Sequence, residues 1–270
     1  MVDKSEKFSW LVRAGYFSRA ILYSVLGLIA LTSAGKVAEG TDGIFLAIEE
    51  FPAGTAILWI MTIGLVGYAL FRFASTAFDI ENQGSDSKGW AKRIGHTGSG
   101  IGHLALAWSA AQFAKAEGAG DGGEGGGGAQ EAAAGVLSID FGGAVLGLLG
   151  IAFFATAFFQ FKKAYTGEFM HRISGAAPNQ TKYLGIAGYA ARGVVYGVIG
   201  WSLVKAGFGS GGSSQVKTLG DAVASLAGEG IVFTLVAIGL LMFGLFSLVL
   251  ARYRIIPDLG DHGKVPAFRA

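Results

Sequence analysis

Ala14-Gly15-Tyr16-Phe17-Ser18-Arg19-Ala20-Ile21-Leu22-Tyr23-Ser24-Val25-Leu26-Gly27 is the stretch that decides how this chain is read. It returns as Ala187-Gly188-Tyr189-Ala190-Ala191-Arg192-Gly193-Val194-Val195-Tyr196-Gly197-Val198-Ile199-Gly200. A degraded copy, Ile94-Gly95-His96-Thr97-Gly98-Ser99-Gly100-Ile101-Gly102-His103-Leu104-Ala105-Leu106-Ala107, lies between them. All three fit Gly-[Tyr/His]-x-x-[Arg/Ser]-[Ala/Gly]-x-x-[Tyr/His]-x-x-x-[Gly/Ala] without a gap. Internal repetition is sought first because it sets the architecture.

Each copy opens an apolar segment, and a second apolar segment follows it. These second segments also align. Gly64, Gly147 and Gly239 are followed seven residues later by Phe71, Phe154 and Phe246, and seven further on by Phe78, Phe161 and Tyr253. The unit is therefore a two-helix hairpin used three times, in repeats at 11–80, 91–165 and 184–256, with a tail at 257–270. Together they make one membrane domain over 1–270.

Composition agrees. Hydrophobic residues make up 52% of the chain and charged residues 15%, against about 25% charged in soluble domains. Crossing a bilayer core takes roughly 20 apolar residues, and six spans are expected, near 14–34, 56–78, 94–114, 142–163, 184–206 and 231–252. The fold class is all-α, an integral membrane protein of three helical hairpins around a pseudo-threefold axis. The 45 glycines suit close helix packing in lipid. With no cysteine there is no disulfide, thiolate metal site or Cys nucleophile. The first span lacks a cleavage pattern and reads as a retained helix.

Basic residues set the orientation. With both termini on one side, that side holds 17 of the 21 Lys and Arg, leaving Lys36, Lys115, Lys205 and Lys217 opposite with 11 of the 19 acids. Basic residues stay cytoplasmic, so both termini are expected in the cytoplasm of a multi-pass protein of the bacterial inner membrane. On the far side, Ile44–Ile48, Ala129–Leu137 and Leu219–Leu226 read as short amphipathic pieces at the interface. The loop 117–128, with eight glycines, reads as a flexible linker.

The odd-numbered spans carry the polar residues. Offsets of three, seven and eleven share a helix face, so Tyr16, Arg19, Tyr23 and Gly27 form a stripe, as do Tyr189, Arg192, Tyr196 and Gly200. His96, Ser99, His103 and Ala107 form the third. Ionisable groups inside spans face the interior, which suggests spans one, three and five as an inner ring, with two, four and six as a lipid-facing shell. The candidate ligand-binding residues are Arg19, Tyr23, His96, His103, Arg192 and Tyr196, suited to an anion or lipid phosphate because a guanidinium presents a planar fork. The structural alternative is snorkelling of the arginines to headgroups and interfacial anchoring by the tyrosines. Arg72 is deep in the second span but has no counterpart in Ala155 or Ser247.

His96 and His103 lie two turns apart, roughly 10.5 Å along the axis at about 1.5 Å per residue, and cannot share a metal ion. A bis-His haem would need a second copy, and no cofactor or metal is expected. His103 suits either proton relay or a plain hydrogen bond to a neighbouring Tyr or Ser. No catalytic signature appears in a supporting context, so the chain is read as a non-enzyme.

The motifs Gly15-Tyr16-x-x-Arg19-Ala20-x-x-Tyr23 and Gly188-Tyr189-x-x-Arg192-Gly193-x-x-Tyr196, with the Gly64, Gly147 and Gly239 segments, resemble the bacterial and archaeal membrane family catalogued as domain of unknown function 1206. The resemblance covers nearly the whole chain and implies a six-span inner-membrane protein, with no activity attached. The middle repeat departs from the pattern at His96, Ser99 and His103.

Two functions are expected from these residues. One is a small channel, transporter or lipid- or anion-binding protein with its polar site on the odd spans. The other is a non-catalytic scaffold or accessory subunit. Membrane lipids are the expected partners, with a membrane-protein partner or a homo-oligomer as further possibilities and no nucleic acid. An unbroken ring of lipid contacts on the even spans would favour the first function, and a glycine-rich patch exposed to lipid the second.

Overall fold

A computed structural model describes residues 4–32, 40–50, 52–79, 83–115, 128–209 and 211–256. Within these the chain forms α1 (Lys4–Thr32), α2 (Gly40–Glu49), α3 (Gly54–Phe78), α4 (Ser87–Lys115), α5 (Gly128–Leu137), α6 (Gly142–Thr166), α7 (Thr181–Phe208), α8 (Leu219–Ala224) and α9 (Ile231–Tyr253). Among the described residues there is no strand, and one isolated bridge pairs Ile173 with Arg254. Nearly all of the 117–128 linker and the 257–270 tail lie outside the described residues.

Four helices are long and apolar enough to cross a membrane: Val12–Thr32, Gly54–Phe78, Gly142–Thr166 and Ile231–Tyr253. They mark the chain as a membrane protein. The third and fifth long helices, α4 and α7, have 29 and 28 residues but fall short of that apolarity. Their polar stripes are the reason.

The long helices follow one another in space much as they do in sequence. α1 packs on α3, α3 on α4, α6 on α7, α7 on α9, and α9 closes back onto α1. The missing step is α4 to α6, which at most touch among the described residues. The first and third hairpins are thus made, and the second is not. The six long helices form an open ring in the order α4, α3, α1, α9, α7, α6, whose two ends are the halves of the middle repeat and make at most marginal contact among the described residues.

The packing surfaces show how the repeats differ. A Cβ built on Gly15 would lie 2.3 Å from Tyr68 Cβ, and one on Gly188 would lie 2.7 Å from Phe243 Cα. The first and third hairpins are therefore drawn together at matching glycines. A Cβ on Gly95, the equivalent position in α4, meets nothing within 4 Å. Gly98 and Gly102 are equally open.

This arrangement corrects the expected inner and outer rings. α1, α4 and α7 do not form a ring of their own; each alternates with α3, α6 or α9 in a single layer. On the helices expected to form the lipid-facing shell, Phe71 and Phe246 are buried, while Phe154 is exposed. Only a stripe of each odd helix is polar, so its flanks remain free to pack on both neighbours.

The far-side amphipathic pieces are present as α2, α5 and α8. They do not simply lie flat on an interface. α2 packs on α1, α3, α4 and α8, and α8 also reaches α1, α7 and α9. Phe45, Ile48, Ala222 and Val223 are buried there, so the apolar faces of α2 and α8 cap that end of the ring. Thr218 and Asp221 form a capping box that starts α8. Each even-numbered span is entered through a residue of positive φ, left-handed at Ala53 and Phe141 and a glycine, Gly230, in the third.

Candidate arginine site

The polar stripes turn into the ring. Arg19 is 6% exposed, and its Nη1 donates to Tyr68 Oη at 2.8 Å. Its guanidinium carbon stands 5.2 Å from the Tyr16 ring centroid, 5.3 Å from Tyr68 and 4.9 Å from Phe243. Arg192 repeats the arrangement from the other side, 5.4 Å from Tyr23, 4.8 Å from Tyr196 and 4.4 Å from Phe243. It donates to Tyr196 Oη, while its buried Nε has no hydrogen-bond partner. Two aromatic cages therefore hold two arginines and share the Phe243 ring between them.

Repeat symmetry explains the cages. Tyr68 and Phe243 each lie four residues after an aligned glycine, Gly64 and Gly239. The third equivalent is Ile151, which is exposed on α6, and the third arginine position is Ser99. A third guanidinium comes from elsewhere: Arg72 donates to Tyr68 Oη and to His96 Nδ1, the latter at 2.9 Å. It lies 4.9 Å from the Tyr68 ring centroid. Because a guanidinium only donates, His96 Nδ1 accepts and its proton sits on Nε2.

His103 completes this side. Its ring lies 4.6 Å from that of Tyr68, and its Nδ1 donates to the Ser99 carbonyl at 2.6 Å. Through Tyr68 the imidazole adjoins the guanidiniums of Arg19 and Arg72, which both donate to that hydroxyl. Of the six residues singled out in the sequence, Arg19, Tyr23, Arg192 and Tyr196 gather around Phe243, and His96 and His103 meet Arg72 and Tyr68. Tyr23 packs on Phe243 at 4.8 Å between ring centroids. Tyr68, Arg72 and Phe243 were not among them, because they stand on even helices. Their signal was the alignment position four after the glycine, together with the depth of Arg72.

Electrostatics make the cluster unusual. Among the described residues neither Arg19 nor Arg192 pairs with a carboxylate. Burying an ion costs several kcal/mol, whereas a cation over an aromatic face recovers about 0.5–2 kcal/mol. The cages offset part of the cost and leave positive potential inside. Snorkelling does not describe Arg19, whose guanidinium is enclosed by side chains of α1, α3 and α9.

The chain is 29% identical over 264 residues to "Uncharacterized protein YxxB" of Bacillus subtilis (strain 168), covering 93% of this chain and 94% of that protein. No solved structure matches it. The family model described as Domain of Unknown Function (DUF1206) matches three times, at residues 14–79, 94–167 and 187–254, and the chain belongs to that family.

Proposed function

We propose that this is a six-span protein of the bacterial cytoplasmic membrane, both termini cytoplasmic, whose arginine cluster binds an anionic group, either a free anion or a lipid phosphate. The observation that carries this reading is the meeting of Arg19 and Arg192 over Phe243 with no described carboxylate to neutralise them. Intramembrane ionisable residues mark functional sites by default, and a fork of donors suits phosphate oxygens. The protein is read as a binding or transport protein and not an enzyme.

The test is equilibrium binding of inorganic phosphate and of dihexanoyl phosphatidylglycerol to the detergent-purified chain. Arg19→Gln and Arg192→Gln should each weaken binding about tenfold. The double variant should fall short of the product, since residues that share a ligand couple. Small, additive effects would assign the arginines to structure alone.

A second reading, a scaffold that docks a partner's transmembrane helix, is favoured by the open faces of Gly95, Gly98 and Gly102. Small residues on one face let helices approach closely. Co-purification of a stoichiometric membrane partner, lost in Gly98→Leu, would support it.

A further inference from the structure

We infer that the unclosed seam between α4 and α6 is a sideways doorway, through which an anionic membrane lipid reaches the arginine cluster. This rests on the reading that the cluster binds an anionic group, and it names which one: the headgroup of a lipid whose acyl chain stays in the seam.

Three observations lead there. The far end of the ring is covered by α2 and α8, whereas α4 and α6 make at most marginal contact with each other among the described residues. On α4 the surface turns over in one helical step: Gly95, Gly98 and Gly102 follow one stripe, and His96, Ser99 and His103 the next, at about 100° per residue. The glycine stripe faces open space, and the histidine stripe faces Tyr68 and Arg72. An open, small-residue face of α4 thus runs beside the cationic cluster, the pattern that a two-part ligand fits.

The charge of the site selects the head. Arg19 is more than nine-tenths buried, and its one described hydrogen bond, to Tyr68, uses one of five guanidinium donors. Arg192 keeps a buried Nε without a partner. A phosphodiester supplies acceptors for both.

The experiment uses the full chain in detergent, with native mass spectrometry of bound dioleoyl phosphatidylglycerol and binding of glycerol 3-phosphate as a headgroup probe. Gly98→Leu and, separately, Gly102→Leu place bulk on the open face of α4, at positions where an added Cβ meets nothing within 4 Å, and thermal unfolding of each variant checks that it is folded. Long-chain lipid binding should fall about tenfold while glycerol 3-phosphate binding is unchanged. Equal lipid binding in wild type and both variants, with the headgroup probe still bound, would overturn the doorway and leave the anion site standing. Failure of both probes on the wild type would remove the anion reading and the doorway with it. A wild-type dimer that becomes monomeric in Gly98→Leu with lipid binding intact would make the seam an interface between copies and overturn the doorway.

Discussion

At the residue scale, Tyr68 is the hinge of the site. Its hydroxyl accepts from Arg19 and Arg72, and its ring meets Tyr16 at 5.3 Å and His103 at 4.6 Å between centroids. Tyr68→Phe keeps the ring and removes the shared acceptor, leaving charged donors buried without it. Loss of one buried acceptor costs about 1–3 kcal/mol, so the melting temperature in detergent should drop measurably. An unchanged value would mean that both guanidiniums find other acceptors. The arginines and tyrosines of the odd helices were legible because the repeat motif displays them. Tyr68 was not, since an aromatic four residues after a glycine reads as ordinary lipid-facing surface until its neighbours are known.

At the scale of elements, the glycines divide into two classes that look alike in sequence. A Cβ on Gly27 would come within 2.5 Å of Leu241 N and 2.8 Å of Ala237 O, so Gly27→Ala must force α1 away from α9. Overpacking of this kind costs about 1–3 kcal/mol. A Cβ on Gly98 meets nothing within 4 Å, and Gly98→Ala should stabilise α4 by about 0.8–1 kcal/mol through helix propensity. Unfolding of both variants in one detergent would check the contrast, and equal destabilisation would mean that α4 is covered in the working protein. The hairpin unit was legible from the aligned Gly64, Gly147 and Gly239. That the middle unit stays unpaired was not, because Gly95 carries the same residue type as Gly15 and Gly188.

At the scale of the whole molecule, the ring and its charge asymmetry make a topology prediction. Reporter fusions at residue 270 and within 118–128 should report opposite sides of the membrane, as the 17 Lys and Arg on the terminal side require; agreement between the two would remove the six-span topology. Removing about eight residues from 117–128 should barely change stability, because loop-closure entropy varies slowly with length. Apolar length, repetition and charge asymmetry are properties of the chain taken alone, so the membrane class, the repeated two-helix unit and the three polar stripes were determined by sequence. Which helices touch depends on side chains meeting across space, and near-identical repeats leave that choice open. Only the tertiary structure decided that Tyr68, Arg72 and Phe243 join the arginines from even helices. It alone decided that α9 packs back onto α1 while α4 and α6 at most touch among the described residues, because Gly15 and Gly188 each find a helix to press against and Gly95 finds none.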